Sequence, residues 1–294
     1  MQNPDIPISA APRPASTPQQ QAPEGAVDTH IHVLGAPDEF PLSPSRVEDP
    51  AGLTMDGFLN AYKSQCATLG IRRTVVVHSI LYGADNAVTI EAVRRLGDDA
   101  RGIGLLTDNA TEAQLDALAE ANIKGIRLNY VHGGVLSWDG AKALAPALAD
   151  RGMHLQMLVN SDKHMAEIAG DIRALPCPVV FDHIGWPDVA AGPTEPGFQA
   201  MVALVKDGAA YVKLSGLYRV STSPWHDTDP LVEALAQANP ERCLWGSDFP
   251  YIMLADAEMP DAGLALDAFH RVVSSASARR TILVDAPVAL YGFD

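Results

Sequence analysis

The chain has 294 residues, of which 47% are hydrophobic and 19% are charged, and its formal net charge is −15. This composition is typical of a soluble globular protein with one large domain or two ordinary ones. The negative charge, without any run of lysine or arginine, argues against nucleic acid or an anionic membrane as a partner. No apolar stretch approaches the roughly 20 residues of a membrane helix. Three scattered cysteines without CxxC spacing are typical of a reducing, cytoplasmic compartment.

Residues 1–24 are rich in proline, glutamine, alanine and serine. They have no cationic segment followed by an apolar one, so they do not read as a signal peptide. This composition predicts a flexible N-terminal arm. Residues 25–294 are predicted to form one folded domain.

From residue 25 onward, short β-rich runs alternate with longer amphipathic stretches. The predicted strands are AVDTHIHV, RTVVVHS, RGIGLLT, IKGIRLNY, MHLQMLV, PVVFDHI, AYVKLSG and RCLWGSD. Helical patterns lie between them, among them MDGFLNAYKSQCATLG, NAVTIEAVRRLG and TEAQLDALAEAN. Eight such units in about 260 residues predict a (β/α)₈ barrel of the TIM type. An open dinucleotide-binding sheet is disfavoured because no GxGxxG follows the first strand.

A barrel of this kind carries its chemistry at the carboxyl ends of its strands. The sequence places many polar groups at or just beyond those ends: His30, His32, His78, Arg127, Asn129, His183, Lys213, Arg219 and Asp248. Tyr82 and His132 lie in the following loops, where they could touch a substrate. The crowding of ionisable groups at one rim predicts an active site.

The motif DTHIH places His30 and His32 two residues apart on a strand, so both rings point to the same side. Asp248 ends the eighth strand, which neighbours the first in a closed barrel, so the three groups should converge. Taken singly, each residue has a structural explanation, such as a core histidine or a turn-forming aspartate. Together with His183 they form a plausible site for Zn²⁺ or a similar ion. They equally suit a metal-free hydrolase, in which Asp248 takes a proton from water while the imidazoles orient water and carbonyl.

Arg127 and Arg219 are cations near strand ends of an acidic chain. A solvated surface arginine is the ordinary explanation. The functional one is a clamp for a substrate carboxylate or a group that polarises a carbonyl. Lys213, inside the seventh strand, could point into the same bowl.

These motifs carry a resemblance to a known family. VDTHIHVLG, GIRLN, FDHIGWPD, VKLSGLYR and LWGSDFPY occur in an order and spacing that resemble the amidohydrolase superfamily, from about residue 25 to the C-terminal LYGFD. Within it, the chain looks most like the branch of 2-pyrone-4,6-dicarboxylate lactonases and sugar-lactone hydrolases. The resemblance implies a distorted barrel that hydrolyses a lactone. It maps the following residues onto the family's site positions and onto its carboxylate- or carbonyl-binding arginines: His30, His32, His183 and Asp248, and Arg127 and Arg219.

The resemblance also bears on metal content. Many superfamily members carry a bridging carboxylated lysine or a glutamate at the end of strand four, where this chain has Arg127 and Asn129. A two-metal centre is therefore not expected. Within this branch some members bind one Zn²⁺ and others need no metal. The expectation is no required cofactor, or one divalent ion held by His30, His32, His183 and Asp248.

Several positions depart from the pattern of pyrone-dicarboxylate lactonases. Trp186 replaces part of a GRP sequence, Tyr251 replaces a histidine, and YVHGG follows GIRLN. These changes predict a more aromatic and less cationic pocket, which suits a monocarboxylate or sugar lactone better than a planar dicarboxylate. Contacts to the substrate are predicted from the two arginines and from His78, Tyr82, Asn129, Lys213 and Tyr251.

Other functions remain open at the level of sequence. A lactone isomerase or a metal-dependent decarboxylase would share the fold. A non-catalytic barrel that binds a small molecule is the alternative from another class. Retention of His30 and Asp248 favours net hydrolysis. The sequence leaves the identity of the lactone and the formation of a homo-oligomer open.

Overall fold

The computed structural model describes residues 6–254 and 257–294. Eight parallel strands form one sheet in chain order. They are β1 Val27–Ile31, β2 Arg73–Val77, β3 Ala100–Gly104, β4 Ile123–Asn129, β5 His154–Leu158, β6 Val179–Phe181, β7 Ala210–Leu214 and β8 Cys243–Trp245. The predicted barrel and all eight predicted strands are confirmed, although several strands end earlier than expected.

One α-helix follows each of the first seven strands, and three follow the eighth. They are α1 Met55–Leu69, α2 Ala87–Leu96, α3 Glu112–Glu120, α4 Trp138–Asp150, α5 Ser161–Ala174, α6 Pro196–Lys206, α7 Asp229–Ala238, α8 Ala262–Val272, α9 Ala276–Arg280 and α10 Ala286–Tyr291. Local sequence sets their boundaries: Thr111 and Gln114 form a capping box at the start of α3. Gly70, with φ 76°, ends α1 in the left-handed conformation that glycine adopts without strain.

The barrel closes where β1 meets the segment after β8. The amide of His32 donates to the carbonyl of Phe249 at 2.6 Å, and the amide of Asp248 donates to the carbonyl of His30 at 2.9 Å. Gly246 permits this approach, because a Cβ there would lie 2.7 Å from the Cβ of His30. Closure therefore holds the DTHIH motif and Asp248 side by side.

The C-terminal segment covers the opposite end of the barrel. Tyr291 and Phe293 are buried in one apolar cluster with Val27, Val75 and Ile103 from the strands. Phe293 lies under the guanidinium of Arg101, 4.4 Å from the ring centroid, which adds a cation–π contact. This end is filled by side chains, so the carboxyl ends of the strands remain as the end that can open to a ligand.

Residues 6–24 contact the domain at several points. A backbone bridge joins Ile8 to Asp49. The Ser16 amide and hydroxyl both donate to the carboxylate of Asp261, and the Gln19 amide donates to Asp267. The predicted flexibility of this arm stays a prediction. Among the described residues, no helix has the length and apolar character needed to cross a membrane.

Candidate active site

A cavity of about 690 Å³ opens at the carboxyl ends of the strands. Its volume lies within the range of about 300–1,000 Å³ typical of small-molecule sites. Six of the residues that the sequence placed at this rim or in its loops line it: His32, Arg127, Asn129, His132, His183 and Arg219. The predicted rim is therefore the wall of a cavity large enough for a substrate.

Asp248 lies buried at the centre of this group. Its Oδ2 accepts a hydrogen bond from the Tyr218 hydroxyl at 2.6 Å and contacts Arg219 at Nε (2.9 Å) and Nη2 (2.8 Å). Burial alone would raise the pKa of Asp248. The Arg219 guanidinium and the His183 ring lower this pKa by more than burial raises it, so it lies well below its ordinary value. The carboxyl group is therefore ionised at neutral pH.

The second oxygen of Asp248 faces two imidazoles. Oδ1 lies 3.6 Å from Nε2 of His30 and 3.6 Å from Nε2 of His32. The Nδ1 atom of His32 is 2.8 Å from the Val77 carbonyl, and Nδ1 of His30 is 3.2 Å from the Asp182 carboxylate. A carbonyl oxygen only accepts, so we assign a ring proton to Nδ1 of His32. The Nε2 atoms of both rings face Asp248.

The contacts among the described residues leave two buried atoms of this group unsatisfied. Among the described residues, neither Nε2 of His30 nor Oδ1 of Asp248 has a hydrogen-bond partner. Burial, with the charge of Lys213, lowers the pKa of His30 well below its ordinary value, so its ring is neutral. Buried acceptors without donors are costly. The site therefore has the chemistry to hold a donor such as water, or a cation.

The donor set also fits a divalent ion. Ligand atoms of His30, His183 and Asp248 lie within 4.8 Å of one another, and two nitrogens with one carboxylate oxygen suit zinc. His32, the fourth predicted ligand, is not part of this set within the described residues. Its Nε2 faces Asp248 from the cavity side.

His183 lies on a strained stretch of backbone. It has φ 53° and Asp248 has φ 65°, left-handed values that non-glycine residues rarely adopt and that cluster at functional sites. The Nδ1 atom of His183 lies 3.0 Å from the Ser215 hydroxyl. Burial lowers the pKa of His183 to about 4, although Asp248 opposes this shift. Gly216 makes room for the ring, because a Cβ there would lie 2.4 Å from its Nδ1.

Lys213 lies beneath the cavity rather than in its wall. Its Nζ donates to Gln156 at 2.7 Å and is 3.5 Å from the Asp182 carboxylate and 3.3 Å from Nδ1 of His30. It is fully buried, which lowers its pKa to about 8 even though Asp182 opposes the shift. The structure thus places Lys213 among the groups that hold His30, and not where the sequence predicted a contact with substrate.

Three other predicted contacts are also not brought to this cavity. Both ring nitrogens of the buried His78 are engaged, by the Thr89 hydroxyl at 2.9 Å and the Gly83 carbonyl at 2.7 Å. The Tyr82 hydroxyl bonds to the backbone of Gly35. Tyr251 lines neighbouring cavities, where its ring packs edge-on against Tyr218 at 5.7 Å. The strand-end rule identifies the rim but not the direction of each side chain.

Sequence reasoning missed Asp182, Gln156 and Tyr218. Asp182 accepts from Gln156 and lies beside both His30 and Lys213. Its position directly before His183 in FDHIGWPD was the available signal. Tyr218 lies directly before Arg219, and both side chains bond the same oxygen of Asp248.

The two predicted arginines differ in their partners. Arg219 is paired with Asp248. Burial lowers the pKa of Arg219, but the Asp248 carboxylate raises this pKa by more, so it lies above the ordinary value. Arg127 donates Nη1 to the His78 carbonyl at 2.7 Å. No carboxylate of the described residues lies within ion-pair distance of Arg127, which remains available to an anion.

The chain is similar to known proteins along nearly its whole length. The amidohydrolase family pattern matches residues 27–293. The chain belongs to the amidohydrolase family. It is 34% identical over 305 residues to a 4-sulfomuconolactone hydrolase of Rhizobium radiobacter, covering 98% of this chain and 97% of that protein. It is 32% identical over 293 residues to a 2-pyrone-4,6-dicarboxylate hydrolase of Comamonas testosteroni, covering 94% and 93%.

Solved amidohydrolase structures share the fold. An amidohydrolase of Burkholderia multivorans with bound zinc has a TM-score of 0.65 at 16% identity and covers 92% of this chain and 99% of its own. An Agrobacterium tumefaciens protein solved without ligand has a TM-score of 0.80 at 22% identity and covers 96% and 99%. These structures show the fold, while the predicted amidohydrolase membership is confirmed by the family match over residues 27–293 and by the two relatives.

Proposed function

We propose that this amidohydrolase opens the ring of a carboxylated lactone by attack of water. The observation that carries the proposal is the meeting of Oδ1 of Asp248 with Nε2 of His30 and of His32, next to the cavity that His32 and His183 line. The ionised carboxylate of Asp248 can accept a proton from one water, and the rings of His30 and His32 can hold that water. The relatives named as lactone hydrolases support this reaction class.

The reaction needs a base and then an acid, and Asp248 can supply both. As the water oxygen bonds to the lactone carbonyl carbon, Oδ1 of Asp248 takes the water proton. The bond from that carbon to the ring oxygen then breaks, and Asp248 returns the proton to the departing ring oxygen. The product is a ring-opened hydroxy acid. Because the pKa of Asp248 is held low, it is ionised at the start and gives the proton back readily.

The remaining groups position and stabilise. His30 and His32 orient the water through their free nitrogens. Arg127 binds a carboxylate of the substrate, while Arg219 holds Asp248 in place and offsets negative charge on the carbonyl oxygen. Asp182 and Lys213 contact Nδ1 of His30 and hold its ring in place, as partners of functional histidines commonly do.

One divalent ion fits the same groups. His30, His183 and Asp248 would hold it, with zinc the best match to the two nitrogens and one oxygen. Such an ion, when bound, acidifies water and polarises a carbonyl. The neutral ring of His30 and the ionised carboxylate of Asp248 are the forms that ligate a metal, so both groups suit either chemistry.

A panel of lactones assayed with and without a chelator tests the function. We expect ring opening, measured as release of one acid per turnover, for lactones that carry a carboxylate. Loss of activity after chelation, with recovery on added Zn²⁺, would assign the ion a role; unchanged activity would assign the reaction to the side chains alone. A ring-shifted lactone product without net acid release would contradict hydrolysis. One relative, a D-galactarolactone isomerase of Agrobacterium fabrum at 25% identity, makes that product worth measuring.

A further inference from the structure

The wall of the active-site cavity divides into a charged floor and an apolar outer part. The floor carries His32, His183 and the two arginines. The outer part is formed by the exposed side chains of Val47, Val135 and Met253, and the partly exposed Trp186 and the buried Leu136 and Ile252 add apolar surface to the wall. The cavity is therefore built for a molecule with two unlike ends.

The outer part is also unusually exposed for its composition. Five large hydrophobic side chains of the described residues are exposed, and three of them line this cavity: Val47 at 64%, Val135 at 43% and Met253 at 39%. Scattered exposed hydrophobic residues need no explanation, but a group of them around one opening marks a surface that binds apolar groups. The same three side chains also line the active-site cavity. The molecule that contacts them is therefore the ligand of this site.

The charged floor limits the number of carboxylates on that ligand. Among the described residues that line the cavity, Arg127 and Arg219 carry a permanent positive charge. Arg219 is engaged by Oδ2 of Asp248 through two nitrogens. Arg127 alone of the two has no carboxylate partner among the described residues. A second carboxylate would thus lie against apolar side chains without a paired cation, which is costly.

Polyhydroxylated sugar lactones fit the outer part poorly for a related reason. Each buried hydroxyl needs a hydrogen-bond partner. Some polar groups of the wall are engaged with one another: Ser43 bonds Ser45 at 3.0 Å, and Oδ1 of Asn129 accepts from the His132 amide at 2.9 Å. The aromatic face of Trp186 packs against His132 and adds apolar surface.

From this division we infer that the substrate is a lactone with a single carboxylate at Arg127 and an apolar substituent, an aromatic ring or alkyl chain, seated against Val135 and Met253. This inference rests on the proposed lactone hydrolysis and narrows its substrate class. The cavity of about 690 Å³ has room for the apolar group beyond the lactone ring.

Three matched lactones test it. Each is a five-membered lactone acid that carries phenyl, methyl or a second carboxylate at one and the same ring carbon. Binding is measured by calorimetry with the Asp248→Asn protein, in which turnover is slowed. We expect the phenyl compound to bind about 10–100-fold more tightly than the methyl compound, and the dicarboxylate to bind more weakly than either.

Paired variants locate the apolar contact. Val135→Ser combined with Met253→Gln is expected to reduce the phenyl-over-methyl preference by about tenfold. Leu264→Ser is the matched control, because Leu264 is an exposed hydrophobic residue of α8 outside the cavity lining. It should leave the preference unchanged. The comparison of ligands on the unsubstituted wall does not depend on the folding of either variant.

Equal affinity for the three compounds, or preference for the dicarboxylate, would overturn the inference. So would a change in oligomeric state, measured by light scattering, in the double variant with the ligand preference unchanged, since the rim would then be a contact between copies. Preference for the phenyl compound without turnover of any of the three by the unsubstituted protein would support the inference and contradict the proposed hydrolysis. The two proposals can therefore fail separately.

Discussion

At the scale of single residues, the two arginines illustrate how similar side chains acquire different tasks. Arg219 has its charge matched by Asp248, whereas Arg127 faces the cavity with a backbone carbonyl as its protein partner. From the sequence both arginines had the same interpretation, because their partners, His78 and Asp248, follow other strands. The structure separates them.

Substitution of each arginine should therefore affect different kinetic constants. Arg127→Ala should raise the KM of a carboxylated lactone by about 10–100-fold with kcat largely retained, since one charge-assisted contact of roughly 1.5–3 kcal/mol is lost. Arg219→Ala should instead lower kcat by about 10² or more. Asp248 would lose the side chain that holds it in place, and the reacting carbonyl would lose a nearby positive charge. Steady-state kinetics on anionic and neutral lactones checks both. Equal effects of Arg127→Ala on the two substrates would assign that residue a structural role.

At the scale of elements, the junction of β1 with the end of β8 determines how the site residues are placed. Its backbone hydrogen bonds involve His30, His32 and Asp248 themselves, so barrel closure and site assembly are the same event. Gly246 is the residue that lets the two segments approach.

Gly246→Ala should damage stability and activity together. The added Cβ would lie 2.7 Å from the Cβ of His30, and overpacking of this kind costs about 1–3 kcal/mol. Denaturant unfolding and kcat on a carboxylated lactone are the measurements. Gly170→Ala is the control, because a Cβ there meets nothing within 4 Å in the middle of α5, and alanine favours the helix by about 0.5–1 kcal/mol. Normal kcat in Gly246→Ala would show that the junction tolerates displacement.

The sequence predicted the elements better than it predicted the contacts of their side chains. Strand runs, capping signals and the spacing of DTHIH are local, so the eight strands and the convergence of His30, His32 and Asp248 could be predicted. The contacts of His78 could not be predicted, because its ring is engaged by Gly83 and Thr89 of the following segment. Such partners depend on how a loop folds back, which no strand pattern encodes.

At the scale of the whole molecule, one end of the barrel serves chemistry and the other serves stability. His154 lies at the start of β5, packed against Tyr291 with ring centroids 5.4 Å apart. Neither of its ring nitrogens has a hydrogen-bond partner among the described residues. Burial, together with the charge of Lys213, lowers the pKa of His154 to about 3 against the opposing effect of Asp182.

This buried histidine should make the fold sensitive to acid. Between pH 6.5 and about 3, His154 binds a proton in the unfolded chain but not in the folded chain. The stability present above pH 6.5 is therefore lost as the pH falls, by at most about 1.4 kcal/mol per pH unit. His154→Gln should flatten this slope in denaturant unfolding between pH 6.5 and 4. His226→Gln, at an exposed histidine, should not. Identical slopes for the two variants would remove His154 from the acid response.

The central claim, that Asp248 directs water onto a lactone carbonyl, is tested most directly by hydrolysis in ¹⁸O-labelled water. Mass spectrometry of the product of a carboxylated lactone should find one ¹⁸O in the newly formed carboxylate and none in the new hydroxyl group. Asp248→Asn keeps the shape of the side chain but cannot accept the proton, so single-turnover opening should slow by roughly 10²–10⁴ with ligand binding retained. A product without ¹⁸O, or near-unchanged turnover in Asp248→Asn, would contradict the account.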